Sequence, residues 1–343
     1  MKGEKCIVII DISKQNKYIY VMSNREAYKL MKTKTKRKQG VFRKMINSWQ
    51  LYLMALPAML LLFAFSYMPM GGIIIAFKNY RLRDGILGSK WQDPPFRNFS
   101  ILFNNPTALR ALRNTILLNL LFIVVGTIFA LLLTLAINEI VQKRLKKLCQ
   151  SLTFLPFFIS TVVVGVFVSG MLGFEGGTIN RLLINWGFDR INFFSSPALW
   201  PWILLIIKIW MGAGHTAVIY LATIAGIDET YYEAARLDGA SRIQQIKHIT
   251  LPLLKPTVII MLLLAVGGIV KADFGFFYNI TQDVPLLHST TDVLDTFIFR
   301  ALRTTGDIGI SSAAGLFQSV VGLVMVLTMN YIARKYESDS ALF

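Results

Sequence analysis

Six stretches of the chain are apolar over lengths that cross a hydrocarbon layer as helices: Leu51 to Phe77, Thr115 to Ile137, Leu152 to Leu172, Leu199 to Ala222, Leu253 to Val270 and Ser311 to Ala333. At a rise of about 1.5 Å per residue, about 20 residues cover a bilayer core about 30 Å thick. Any one run would also suit a buried helix of a soluble protein, but six runs separated by polar punctuation would not. The composition agrees, with 54% hydrophobic and 16% charged residues and a mean hydropathy of +0.53. The expected fold is an all-α polytopic membrane protein with six transmembrane helices.

The net charge of +17 is not spread as on a nucleic-acid-binding domain, so no nucleic-acid partner is expected. It gathers in "KTKTKRKQGVFRK" (Lys32 to Lys44) and "KRLKK" (Lys143 to Lys147). Both clusters are expected on the cytoplasmic side of a bacterial plasma membrane, which with six crossings puts both termini inside. The outer loop from Lys78 to Asn114 carries more Lys and Arg than Asp and Glu, but long loops are translocated largely regardless of charge. The expected organisation is a cytoplasmic segment over residues 1–50, a membrane domain over 51–337 and a cytoplasmic tail over 338–343. Cys6 and Cys149, both on the inner side, imply neither a disulfide framework nor a metal site. "CIVII" is too short for a secretory signal core and lacks a cleavage site. Met31 opens the basic run directly, and the codons for Arg25 to Ala27 suit a ribosome-binding sequence, so native translation is expected to begin at Met31.

In the outer loop, Pro94, Pro95 and Pro106 interrupt short elements. Beyond Pro106, the spacing of Ala108, Leu109, Leu112 and Ile116 predicts an amphipathic helix leading into the second span. Phe96, Phe99, Ile101, Leu102 and Phe103 call for burial, against a neighbouring subunit or against this one. Trp200 and Trp202 fit an interfacial aromatic belt, whereas Trp210 lies too deep for one and is a packing residue or part of a pathway wall. "GFEGGTIN" (Gly173 to Asn180) is a glycine-rich outer turn, or a loop that touches an external protein.

Between the fourth and fifth runs lies a polar insertion, residues 228–250. Asp228 caps a helix from Glu229 to Leu237, which Asp238 and Gly239 end, glycine tolerating the left-handed conformation of a helix stop. Ser241 then opens a second helix, with Gln244 completing a capping box, and Pro252 opens the fifth span. Two short helices jointed at a glycine lie at the membrane surface. An ordinary interfacial hairpin anchored by Tyr231, Tyr232, Ile243 and Ile246 is the plainer reading.

The residue order is more specific than that. "EAARLDGASRIQQIKHITLP" resembles the signature of transmembrane subunits of binding-protein-dependent ABC importers: Glu-Ala-Ala, a glycine six residues after the Glu, and Ile-x-Leu-Pro at the next span. "IYLATIAGIDETYYEAA" looks like the carbohydrate-uptake branch, and "PAMLLLFAFSYMPMGGIIIAFKNY" and "NFSILFNNPTALRALRNT" resemble its polysaccharide and complex-oligosaccharide permeases. The resemblance covers the chain after about Ser48 and implies the type I ABC importer permease fold with a cytoplasmic coupling helix. Tyr232, Glu233, Ala234, Ala235, Asp238, Gly239 and Ala240 then fall on the element that docks in a groove of an ATPase subunit. Small alanines allow close approach, Glu233 pairs with a basic residue there, and Gly239 sets the angle between helices. The implied partners are a second homologous permease, two cytosolic ATPase subunits, an extracellular solute-binding lipoprotein and membrane lipids. No phosphate-cradling G-x-x-x-x-G-K-[ST] loop occurs in the sequence, so the chain is not itself an enzyme, binds no cofactor, and ATP and Mg belong to the partner ATPase. The branch resembled implies oligosaccharide cargo, acidic and pectin-derived, moved by alternating access.

Ionisable groups inside spans are costly unless paired or hydrated. Lys208 is the clearest, either paired with a carboxylate such as Asp273 or lining the substrate path. Trp210, Phe274 and Tyr278, with Phe276 and Phe277 beside them, offer faces for pyranose rings or serve as plain packing. Gln318 is a further path candidate, while Asn119 and Asn330 suit hydrogen bonds between helices. An ion-coupled secondary carrier is the alternative, but it calls for interacting carboxylates within spans, and Glu139 and Asp273 lie at opposite margins. An intramembrane metalloenzyme has no visible site, since His215, His248 and His288 are dispersed.

Overall fold

The computed structural model describes residues 7–11, 18–22 and 49–336. Met31, the basic run from Lys32 to Lys44, Cys6 and the tail 338–343 lie outside the described residues. The chain divides into two compact units between Gly71 and Gly72. In the first unit, strands β1 (Ile7–Asp11) and β2 (Tyr18–Met22) pair antiparallel with Ile9 opposite Tyr20. Both are runs of β-branched and aromatic residues, which suit a pleated backbone. Among the described residues they are the only strands, and every regular element from Trp49 onward is helical.

Helix α1 (Trp49–Leu62) continues through wider and tighter turns to complete an apolar span over Trp49–Phe77. There follow α2 (Gly85–Gly88), α3 (Arg97–Asn104), α4 (Pro106–Asn138), α5 (Lys143–Phe154), α6 (Thr161–Leu172) and α7 (Thr178–Asn185). Helix α8 (Trp200–Ala225) leads to α9 (Glu229–Leu237), and α10 (Arg242–Gly267) runs on from it. The chain closes with α11 (Phe274–Thr281), α12 (His288–Thr291), α13 (Leu294–Arg303) and α14 (Ile308–Tyr336). Among the described residues five helices are long and apolar enough to span: Trp49–Phe77, α4, α8 with its lead-in, α10 and α14.

The expected third span, Leu152 to Leu172, is broken. Its two parts, Lys143–Phe158 and Thr161–Leu172, meet at 95°. Pro156 opens a tight turn over Leu155–Phe158, and Ser160, with an extended backbone, restarts the chain as the cap of α6, its hydroxyl accepting from Val163 N–H at 3.4 Å. Helix α6 has 12 residues, about 18 Å, too short to cross alone. His215 of α8 stacks on Phe157 in the break at 4.3 Å between ring centres.

Helix α4 begins at Pro106, a residue that suits a first turn, capped by Asn105, which accepts from the N–H of Thr107 and Ala108. The amphipathic lead-in and the second span are therefore one helix of 33 residues. The apolar residues of the preceding loop pack within this chain: Phe96 and Phe99 cluster with Phe77, Phe103 meets Phe317 edge-on, and Leu102 is buried with Ala108, Ala111 and Leu294. Trp200 is not a belt residue. It is fully buried, its indole N–H donates to the Phe193 carbonyl at 2.8 Å, and only Trp202 is exposed as a belt requires.

Two crossings bring backbone against backbone. A Cβ at Gly214 would collide with the Thr153 carbonyl of α5, and one at Gly165 of α6 with the Asn279 carbonyl of α11. Gly212, two residues earlier and so on the opposite face of α8, has open space around it. Gly214→Val should therefore destabilise the fold by about 1–3 kcal/mol, as overpacking does, whereas Gly212→Ala should be neutral or stabilising by up to about 1 kcal/mol. Thermal unfolding of the detergent-purified chain followed by size-exclusion profile checks both.

Candidate functional site

The polar insertion folds around its caps. The Asp228 carboxylate accepts from Thr230 N–H at 3.0 Å and starts α9. At the other end the Ala240 N–H bonds the Ala235 carbonyl at 2.8 Å and the Gly239 N–H bonds that of Arg236 at 3.1 Å. That paired pattern needs a left-handed residue between, and Gly239 supplies it with φ of +76°. Ser241 and Gln244 then form the capping box, the Ser241 N–H donating to the Gln244 side chain at 2.7 Å.

The second helix is not separate, however. It runs without a break through Pro252 into the fifth span as α10. A wide turn over Ile246–Thr250, in which the Leu251 N–H reaches the Ile246 carbonyl, absorbs the proline: widening the ladder relieves the clash of a proline ring with the carbonyl four residues earlier. The insertion is thus one helix, α9, joined at Gly239 to the end of a long span.

Tyr232 braces this joint, its hydroxyl 3.0 Å from that of the buried Thr250. The Gln245 amide donates to the Ala240 carbonyl at 2.9 Å. Glu233, Ala234, Asp238 and Gly239 are exposed, while Tyr232, Ala235 and Ala240 are half-buried against the bundle. The exposed Leu237 and Ile243 extend the same surface. Beneath α9 lies a cavity of about 460 Å³ lined by Tyr232, Arg236, Gln245 and the ends of α4 and α8, and Arg242 approaches Glu139 at the end of α4 at 3.8 Å.

Toward the opposite ends of the spans, the chain unwinds between α10 and α11, over residues 268–273. Unwound backbone in apolar surroundings needs partners, and side chains from three helices provide them. The Asn119 amide of α4 donates to the carbonyls of Ile269 (2.8 Å) and Lys271 (3.1 Å). The Gln318 amide of α14 donates to the Val270 carbonyl and to Asp295, both at 2.8 Å. Asp295 of α13 also accepts from the Ala272 N–H at 2.8 Å.

Two cavities flank this loop. One, about 330 Å³, runs lengthwise between α4, α8 and α10, from Asn119, Lys208 and Lys271 to Tyr220 and Met261. The other, about 570 Å³, is lined by Lys271, Phe274, Asp295, Phe299, Gln318 and glycines of α10 and α14. Phe274, Tyr278 and Phe299 form one aromatic cluster, with ring centres 4.7–5.2 Å apart.

The path candidates therefore separate. Phe274 and Gln318 share a cavity and Tyr278 stacks on Phe274. Lys208 lies on the smaller cavity, its ammonium 3.5 Å from Asp273 and 4.6 Å from the centre of the Phe276 ring. Trp210 is on another face of α8, against Phe129, Leu152 and Pro156 in an apolar hollow of about 490 Å³. Lys271 is missed by reasoning on spans, because it falls just past the expected end of the fifth; "GGIVKAD", two glycines followed by a cation, is the signal that marks the unwinding.

A bundle of apolar helices around lengthwise cavities, with a capped surface helix fixed to one end of a span, suits a membrane transport subunit. The chain matches, over residues 123–338, the family described as the inner membrane component of binding-protein-dependent transport systems, and it belongs to that family. It is 35% identical over 306 residues to the polygalacturonan/rhamnogalacturonan transport system permease protein YteP of Bacillus subtilis, covering 89% of this chain and 94% of that one. It is 34% identical over 293 residues to protein LplB of the same organism, covering 85% and 91%. Among solved structures it is similar, with a TM-score of 0.79 and 34% identity, to a chain of a bacterial ABC transporter involved in the import of the acidic polysaccharide alginate, covering 87% of this chain and all of that one. The chain is thus a multi-pass membrane protein and the permease component of an ABC importer, and the ion-coupled carrier reading finds no support.

Two outcomes follow from the geometry. The Thr230 backbone and side-chain hydrogen bonds hold the Asp228 carboxyl below its usual range, so the cap is intact above that range and is lost as pH falls through the lowered value. Hydrogen exchange, corrected for intrinsic rates, should show the first turn of α9 opening on acidification, and Asp228→Ala should show the same opening at neutral pH. Gln318→Leu leaves the Val270 carbonyl without its donor, at about 1–3 kcal/mol for a buried group. Limited trypsin digestion should then cut faster after Lys271.

Proposed function

We propose that this permease imports acidic oligosaccharides, of the pectin-derived kind, across a bacterial plasma membrane by alternating access. It pairs with a second homologous permease, two cytosolic ATPase subunits that hold ATP and Mg, and an extracellular solute-binding lipoprotein. Both termini and α9 face the cytosol. This chain hydrolyses no ATP.

The observation that carries the reading is the α9 joint. A helix capped at both ends, locked to α10 through Gly239 and the Tyr232–Thr250 contact, moves as one piece with the span it continues. Glu233 and Ala234 on its exposed face meet the ATPase groove, the alanine permitting close approach and the carboxylate pairing with a basic residue. Tyr232, Ala235 and Ala240 hold the helix to the bundle, while Asp238 and Gly239 end it. Closure of the ATPase dimer on nucleotide thus displaces α9 and, with it, α10 and the unwound loop beyond.

The acidic cargo is supported by the relatives, named for polygalacturonan and rhamnogalacturonan and for alginate. Phe274 and Tyr278 offer ring faces to the sugars at the larger cavity, next to the Gln318 amide. Lys208 adds positive potential to the smaller cavity while remaining tied to Asp273. Trp210 closes the apolar wall behind it.

Glu233→Arg should abolish co-purification of the ATPase with the permease pair. Gly239→Val strains a left-handed position and should leave ATP hydrolysis running with uptake reduced at least about tenfold, since an angular error at a coupling joint acts on every cycle. Uptake and hydrolysis in proteoliposomes of the full transporter measure both. Retention of the ATPase by the first variant and normal uptake by the second would defeat the proposal.

A further inference from the structure

We infer that Lys271 is the group that reads the negative charge of the cargo, and that the unwound loop exists to present it. This rests on the acidic-cargo reading above and adds the residue that selects for it. Lys271 alone among the charged residues of the region lines both cavities. Its side chain is exposed, and among the described residues no carboxylate lies within ion-pair distance of its ammonium.

The neighbouring charges are already engaged. Asp273 holds Lys208 and caps α11 through the Phe276 N–H at 3.0 Å. Asp295 takes the Ala272 N–H and the Gln318 amide on one oxygen. Lys208 has Asp273 and the Phe276 ring. Lys271 is therefore the cation left over at the junction of two solute-sized spaces, in a part of the chain where an unpaired ammonium is expensive.

The backbone fixes where it points. Asn119 and Asp295 hold the peptide group that follows Lys271, at its carbonyl and at the Ala272 N–H, and the Lys271 N–H bonds the Gly268 carbonyl at 2.9 Å, so the backbone is fixed on both sides of an exposed side chain. An ammonium of this kind holds a carboxylate more strongly than its uncharged methyl ester, whose carbonyl accepts only an ordinary hydrogen bond. On the larger-cavity side the aromatic cluster of Phe274, Tyr278 and Phe299 lies ready for the apolar face of the same sugar.

The test is uptake of trigalacturonate and of its fully methyl-esterified form by proteoliposomes of the complete transporter. The wild type should favour the free acid. Lys271→Gln should lower the acid-to-ester ratio about tenfold, the scale of one charge-assisted hydrogen bond, with ester uptake within about twofold of wild type, and Lys271→Arg should keep the ratio. An unchanged ratio in Lys271→Gln overturns the assignment. So does a parallel loss of both substrates that Lys271→Arg does not restore, or poorer assembly with the second permease at constant ratio, which marks a subunit contact. A wild type that takes up acid and ester equally defeats the acidic-cargo reading itself, before any variant is compared.

Discussion

In hydrocarbon every backbone N–H and C=O must find a partner inside the protein, and that requirement shapes each departure of this chain from a plain bundle. Where α10 ends at Gly267, the loop to α11 survives because Asn119, Gln318 and Asp295 reach it from three different helices. Where Pro156 breaks the third run, a tight turn and the Ser160 cap restore the ladder within six residues. Where Pro252 enters α10, a wide turn keeps the helix unbroken. Asn119 and Gln318, polar within spans, are thus accounted for by a place where a helix stops being a helix.

The two ends of α10 are consequently unlike. At one end it is stiff, carrying α9 on a glycine joint with its caps filled. At the other it dissolves into a loop held by side-chain amides, next to the cavities. Under the proposed coupling, a displacement applied at the first end would reach the second along one continuous helix of 26 residues, about 39 Å. Side-chain amides are easier to exchange than a helical ladder, so the loop is where such a displacement would be taken up.

Much of this was legible beforehand. The five long helices followed from apolar length, α9 from Asp228 and Gly239, and the start of α10 from Ser241 and Gln244, capping roles set by local chemistry alone. The signature from Glu233 to Pro252 pointed to the family. What length and polarity hid was tertiary in origin. Pro156 stood in plain view, but nothing local distinguished a kink from a right-angled break without His215 and Phe157 stacked across it. Trp200 and Trp202 look alike in sequence and differ in burial because one meets Phe193 and Phe194. Gln318 and Asn119 looked like generic polar residues until the loop they serve was in place, and Lys271 lay just beyond the apolar run that drew the eye. The hairpin near Ile9 was overlooked because its short apolar strand was weighed only as a leader.

The glycines record clearance as a gauge would. At Gly214 and Gly165 two main chains touch with no side chain between them, which welds α8 to the α5 end and α6 to α11. At Gly126, Gly212 and Gly315 nothing stands within 4 Å, and these three border the two cavities. The bundle therefore combines joints of backbone on backbone with uncrowded positions, three of which lie on the cavity walls. If helices slide past one another during the proposed transport cycle, these uncrowded positions are where the least backbone contact would have to be broken.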